Sequence, residues 1–421
     1  MKQLFFIKDT IADRISLLHM VFFVAVLPFD RLYSELALIS LLIHTLIHLR
    51  KENLRGVTRP SFLIGTAGIY LLTCLWTTGS PYQQQAFFEW EIQLAFLLFP
   101  FIFSVNPIDL KKARAIVLPA MGFSCTITIL YLYAEAFRVI FFYHLPVTAI
   151  FSDAFINHNF SLPIGLHATY FSLYIGLSLM TFLIRLLYSK EEKFRLLYIC
   201  CIPVMVFGLI QLSSKSVLIA VCLLLLFVLP LQLARRKRIV FFTGSLLMGL
   251  ILAGLISVNS SFRNRYLRDF LSDLSLTVQN PQQLAPRAVR WQTGWELIKT
   301  APFAGHGTGS EIALLKEGYF QHHLYNAYIN ELNVHNQYLS FLIKMGIPGL
   351  LGYLLILVNA YRQAIRRKDL LFICFLVMIS IVSFSENIFD VNKGIFFMAF
   401  FFTLFPFSNT MKAVNCDARN V

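Results

Sequence analysis

Long apolar runs, about a dozen of them, divide this chain, and most gaps on one side of them hold clusters of lysine and arginine. Apolar stretches approaching ~20 residues with few charges read as transmembrane helices. The runs fall roughly at 15–29, 34–49, 61–78, 88–105, 115–140, 166–187, 196–212, 217–233, 239–257, 337–361, 370–385 and 395–408. Several are shorter than a full crossing requires. Only 14% of the 421 residues are charged and 57% are hydrophobic, with a mean hydropathy of +0.67. Soluble domains carry roughly 25% charged residues. The expected class is therefore an all-α polytopic membrane protein with about 12 transmembrane helices.

The net charge of +14 could suggest a nucleic-acid partner. In a membrane protein, positive charge instead marks cytoplasmic loops, so no nucleic acid is expected. With the amino terminus inside, 23 of the 36 lysines and arginines fall in inside segments. Ten fall outside, seven of them in one long loop. Both termini are thus expected to be cytoplasmic. The first apolar run ends without a small-residue cleavage site and is not read as a signal peptide. Three parts follow: residues 1–257 with nine spans, an outer loop subdomain at 258–336, and residues 337–421 with three spans and a cytoplasmic tail. The outer loop carries helical signals in RYLRDFLSDLSL and RWQTGWELIKTA. It far exceeds an ordinary connection. The sequence contains no internal repeat.

Where the outer loop returns to apolar sequence it reads HNQYLSFLIKMGIPG, from His335 to Gly349. A neutral imidazole at such a boundary can accept a proton. The competing reading is that His335 and Asn336 cap a helix, a position asparagine favours. Upstream, Arg287 and Arg290 are three apart and share a face if helical. Trp291 and Trp295 are four apart. Arginine's planar fork suits phosphate and carboxylate, although these could be solvated loop charges. GHGTGS, from Gly305 to Ser310, lacks the ending of a nucleotide loop and reads as a tight turn after Pro302. Lys215 lies near membrane depth, where an ionisable group either serves function or snorkels to the interface. His167 and Tyr170 open another run from the outside; each alone reads as structural. Glu386 and Asp390 could orient a base or cap a helix. His306, His322 and His323 give only a weak metal signal. None of the seven cysteines is in the outer loop, and no Cys/His spacing suits zinc.

The segment from Arg287 to Gly349 resembles the hallmark region of the bacterial O-antigen ligase and O-antigen polymerase superfamily, most closely the ligases. Arg287, Trp291, Pro302, Gly305, Gly307, Gly309, His335, Asn336, Gly346 and Gly349 match its pattern. Where that family often has arginine, this chain has Lys215. The resemblance implies a C-type glycosyltransferase fold with one large periplasmic helical loop, in a bacterial inner membrane. It implies a glycan donor on undecaprenyl pyrophosphate, a lipid A–core acceptor, and membrane lipid as surroundings. No cofactor or metal is expected, and transfer should invert the anomeric carbon. His335 would be the catalytic base. Arg287, Arg290 and Lys215 would hold the pyrophosphate, and Asn336 and His167 would be further substrate contacts. An O-antigen polymerase, a protein O-oligosaccharyltransferase and a polysaccharide exporter are the alternatives. Transporters tend to show repeated halves, which this sequence lacks.

Overall fold

Each apolar run is helical, and no strand occurs among the described residues. The computed structural model describes residues 9–49, 54, 65–106, 108–188, 193–231, 233, 235–276 and 285–408. The expectations that rest on the basic clusters of residues 1–8 and 50–59, and on Cys416 and the tail, lie largely outside these. The helices are α1 (Asp9–Val26), α2 (Arg31–Ile47), α3 (Thr66–Leu75), α4 (Gln83–Gln93), α5 (Ala95–Val105), α6 (Leu110–Phe142), α7 (Ala168–Tyr188), α8 (Arg195–Leu212), α9 (Lys215–Leu231), α10 (Arg235–Val258), α11 (260–273), α12 (Arg287–Thr300), α13 (Glu311–Gln321), α14 (Tyr325–Ile329), α15 (Gln337–Arg366), α16 (Leu370–Val382) and α17 (Asn392–Ser408). Short helical turns join α6 to α7.

Among the described residues, five helices are long and apolar enough to cross a membrane. These are α4 with α5, then α6, α7, α8 and α15. Five further apolar helices, α3, α9, α16, α17 and the 238–247 part of α10, are shorter. Two of the runs are shaped by turns: α4 meets α5 at Leu94 within one crossing-length unit, and α3 ends at Leu75 before a turn. Helix starts are set by side chains that take up otherwise unbonded backbone N–H groups. Asp30, Asp109, Asn336 and Asp369 do this for α2, α6, α15 and α16.

Helix α7 lies at the centre. Every residue from Ala168 to Phe182 is buried, as expected of a helix apolar on all faces. Around it α1, α2, α6, α8, α9, α15, α16 and α17 contribute to one large core. A second core forms under α12, α13 and α14, from Ala285, Ile298, Leu315, Tyr319, Leu324, Ala327 and Val334, and it includes Ile343 of α15. The segment expected as an outer loop therefore contains helices packed on one another and on α15.

Helix α15 is not continuous. Gly346 has φ 64° and breaks it. The turn expected after Pro302 fills the break. The backbone N–H groups of His306 and Gly307 donate to the carbonyls of Ile343 and Lys344 at 2.9 and 2.8 Å, and that of Ile347 donates to Pro302 at 2.9 Å. A Cβ on Gly305 would lie 2.5 Å from the Lys344 carbonyl oxygen, and one on Gly346 would strike the Phe303 carbonyl. The glycines of GHGTGS and GIPG thus meet one another. Thr308 extends the junction to α3, its N–H donating to Trp76 and its hydroxyl to the Thr73 carbonyl.

Candidate active site

The turn before α15 fixes His335. Its backbone adopts φ 49°, a left-handed conformation that non-glycine residues hold only when their surroundings enforce it. Its N–H donates to Asn333 Oδ1 at 2.9 Å. Arg290 braces the same turn from α12, donating to the Asn333 carbonyl at 3.4 Å. Arg290 is buried beneath that turn. Asn336 Oδ1 accepts from the N–H groups of Tyr338 and Leu339, the capping role considered from sequence. Its own N–H donates to Asn387 Oδ1 at 2.8 Å.

Glu386, in the turn between α16 and α17, gathers the site. His335 Nδ1 lies 3.3 Å from Glu386 Oε2. Arg287 Nη2 lies 3.5 Å from Oε1, and Thr169 Oγ1 donates to that oxygen at 3.3 Å. Burial alone would raise the carboxyl's pKa. The His335 hydrogen bond and charge, with His167 and Arg287, outweigh it and hold the carboxyl at about 2. An ionised Glu386 accepts Nδ1–H, which leaves His335 Nε2 as the nitrogen able to take a proton. Of the two roles open for Glu386 in the sequence, orienting a base is the one its contacts fit.

His167 lies beside this group. Burial lowers its pKa, opposed by Glu386 and reinforced by His335, Arg287 and Arg265. Its ring packs against His158 with centroids 4.1 Å apart. His158, which keeps an exposed edge, is pushed down to about 4 by partial desolvation first and then by His167, Arg265 and Arg287, opposed by Glu386. Sequence reasoning missed His158 and Arg265. The only signal for Arg265 was its place on one helical face with Asp269, which it contacts at 3.2 Å. Nothing local pointed to His158.

Lys215 pairs with Asp273 of α11 at 3.4 Å and sits over Phe270 at 5.8 Å. Among the described residues no contact joins it to Arg287 or His335. Arg265, within electrostatic reach of both Lys215 and His167, bridges the two regions.

A buried charge cluster underlies the site. Lys344 Nζ lies 3.0 Å from Asp390, 3.1 Å from Glu89 and 3.5 Å from Glu311. Glu311 also bonds the Ser340 hydroxyl, the Val334 N–H at 3.1 Å and the Asn387 amide at 2.9 Å. It therefore ties α13 to the residue before His335 and to the residue after Glu386. His306 bonds Leu297 and Thr300, His322 pairs with Glu296, and His323 with Tyr325. Among the described residues no group of His, Cys, Asp and Glu is arranged to hold a metal ion.

A base oriented by a carboxylate, beside an arginine, can accept a proton from a hydroxyl while a phosphate is held. Residues 200–354 match the family profile described as O-Antigen ligase. The match spans Lys215, α11, Arg287 and His335, while His167 and Glu386 lie outside it. A search of curated proteins returns no significant match.

Proposed function

From a chain that carries an O-antigen ligase domain, we propose a membrane glycosyltransferase that moves a glycan from undecaprenyl pyrophosphate to lipid A–core on the periplasmic side of a bacterial inner membrane. The observation that carries this reading is the His335–Glu386–Arg287 constellation at the start of α15. The acceptor hydroxyl attacks the anomeric carbon of the donor. Its proton goes to His335 Nε2 as the new glycosidic bond forms. The bond from the anomeric carbon to phosphate breaks, and the pyrophosphate leaves with its electron pair. Direct displacement inverts the anomeric carbon, as in single-displacement glycosyl chemistry. Arg287 stabilises the leaving phosphate, moving from Glu386 toward the incoming anion. Cations do this without a metal ion in the proposed step.

The purified protein in liposomes, supplied with lipid-linked glycan and lipid A–core, should form capped core. Arg287→Ala should raise the donor KM about ten- to a hundred-fold, since hydrogen bonds to charged groups contribute roughly 1.5–3 kcal/mol. The acceptor KM should change little. Extension of lipid-linked glycan without capping would make the protein a polymerase and contradict the proposal.

A further inference from the structure

Two histidines beside the site carry the opposite tautomer from His335. The backbone N–H of Ala168 donates to His158 Nδ1 at 3.4 Å, and that of Thr169 donates to His167 Nδ1 at 3.3 Å. A ring nitrogen that accepts an N–H cannot carry a proton. Both rings are therefore neutral and hold their proton on Nε2. Desolvation, which disfavours the charged imidazole, acts in the same direction at both rings, although His158 keeps an exposed edge. Among the described residues neither Nε2 has a hydrogen-bond partner in the protein, and neither is a buried orphan. The charged groups acting on His158 are Arg265 of α11, Arg287 of α12 and Glu386, with His167 beside it. The surroundings thus combine two arginines with two fixed neutral N–H donors.

The geometry points to His158 as a pyrophosphate-binding residue, paired with His167, whose Nε2–H donates to a non-bridging oxygen of the lipid-linked diphosphate. This rests on the proposed reaction and adds a binding group to its donor site. A neutral donor suits that task because it binds the anion equally well across the pH range in which His335 must stay unprotonated. The chain holds His158 for it: Asn157 takes φ 56°, and its N–H donates to Gln211 at 2.9 Å.

The test uses the full-length protein in nanodiscs and inorganic pyrophosphate as the probe. In a side-chain overlay a glutamine amide nitrogen falls near imidazole Nε2, whereas an asparagine oxygen can replace only the Nδ1 acceptor. His158→Ala and His158→Asn should weaken pyrophosphate binding about ten- to a hundred-fold, and His158→Gln should restore most of it. If His158 only accepts the Ala168 N–H, Asn would suffice and Gln would fail. That result, a Gln variant no better than Ala, or unchanged binding in all three would overturn the inference. Nitrogen NMR of the wild-type protein gives a reading independent of any variant's folding. It should find His158 as the neutral Nε2–H tautomer at pH 6, and a protonated ring there would also overturn it. Pyrophosphate binding through His158 without glycan transfer would overturn the reaction alone. Transfer that ignores His158→Ala would overturn this inference alone.

Discussion

At the scale of single residues, the site depends on one carboxylate. Glu386 is buried, yet it faces His335 and Arg287 and stays ionised. Its carboxyl is held at about 2, below the usual 4.5. Its stabilisation is therefore fully present above about pH 4.5 and is lost as pH falls through 2. Glu386→Gln keeps the shape but removes the charge, and its amide can present nitrogen or oxygen to Nδ1. We expect turnover to fall by at least about tenfold, since a misoriented or wrong-tautomer imidazole is a poor base. The acid limb of the unfolding curve should also flatten in this variant. Unchanged turnover, measured at equal membrane abundance, would remove Glu386 from the mechanism. His335, Arg287 and a Glu386 with two open roles were legible in sequence, because each lies in a short stretch of distinctive residue types. His158 and Arg265 were not, because their meaning comes from neighbours far along the chain. Nor did spacing separate Arg287 from Arg290: the first reaches Glu386, while the second is buried against Asn333.

At the scale of elements, the expected helices were readable from apolar runs and polar starts, whereas the break in α15 was not. GIPG and GHGTGS each read locally as a turn or a bend. Their mutual contact requires two segments some forty residues apart to share backbone hydrogen bonds. Without that partner, the carbonyls of Ile343 and Lys344 would be unbonded within the bundle, at a cost of several kcal/mol. Gly346→Ala puts a Cβ into the Phe303 carbonyl and forces a left-handed residue. The conformation alone, nearly exclusive to glycine, costs about 1–3 kcal/mol. The detergent-solubilised variant should melt at a lower temperature and lose activity with the displacement of Lys344. A melting temperature equal to wild type would show that the junction does not hold the helix.

At the scale of the whole molecule, the arrangement expected from charge places the proposed site on the side opposite both termini. The second core under α12 to α14 and the start of α15 belong to one face in that arrangement. Reporter fusions after Phe320 and after Lys368 should then fall on opposite sides, with the first periplasmic. The same side for both would contradict the arrangement. Helix ends were the part of the fold least legible in sequence. Apolar runs reveal where helices form, but broken and short helices meet within the bundle, and their ends are set by packing and by turns such as that at Leu94. The Lys344 cluster was hidden for a similar reason. Its four charges come from α4, α13, α15 and the turn before α17, and only the folded chain brings them together.

The most direct test of the account is the turnover of His335→Gln in liposomes with lipid-linked glycan and lipid A–core. Glutamine places an amide near the Nε2 position but cannot take a proton from the acceptor. With folding and donor affinity held at wild-type levels, turnover should fall by roughly 10²–10⁴-fold, the usual worth of general-base assistance. A well-folded His335→Gln protein that transfers glycan at the wild-type rate would contradict the assignment of His335 as the base.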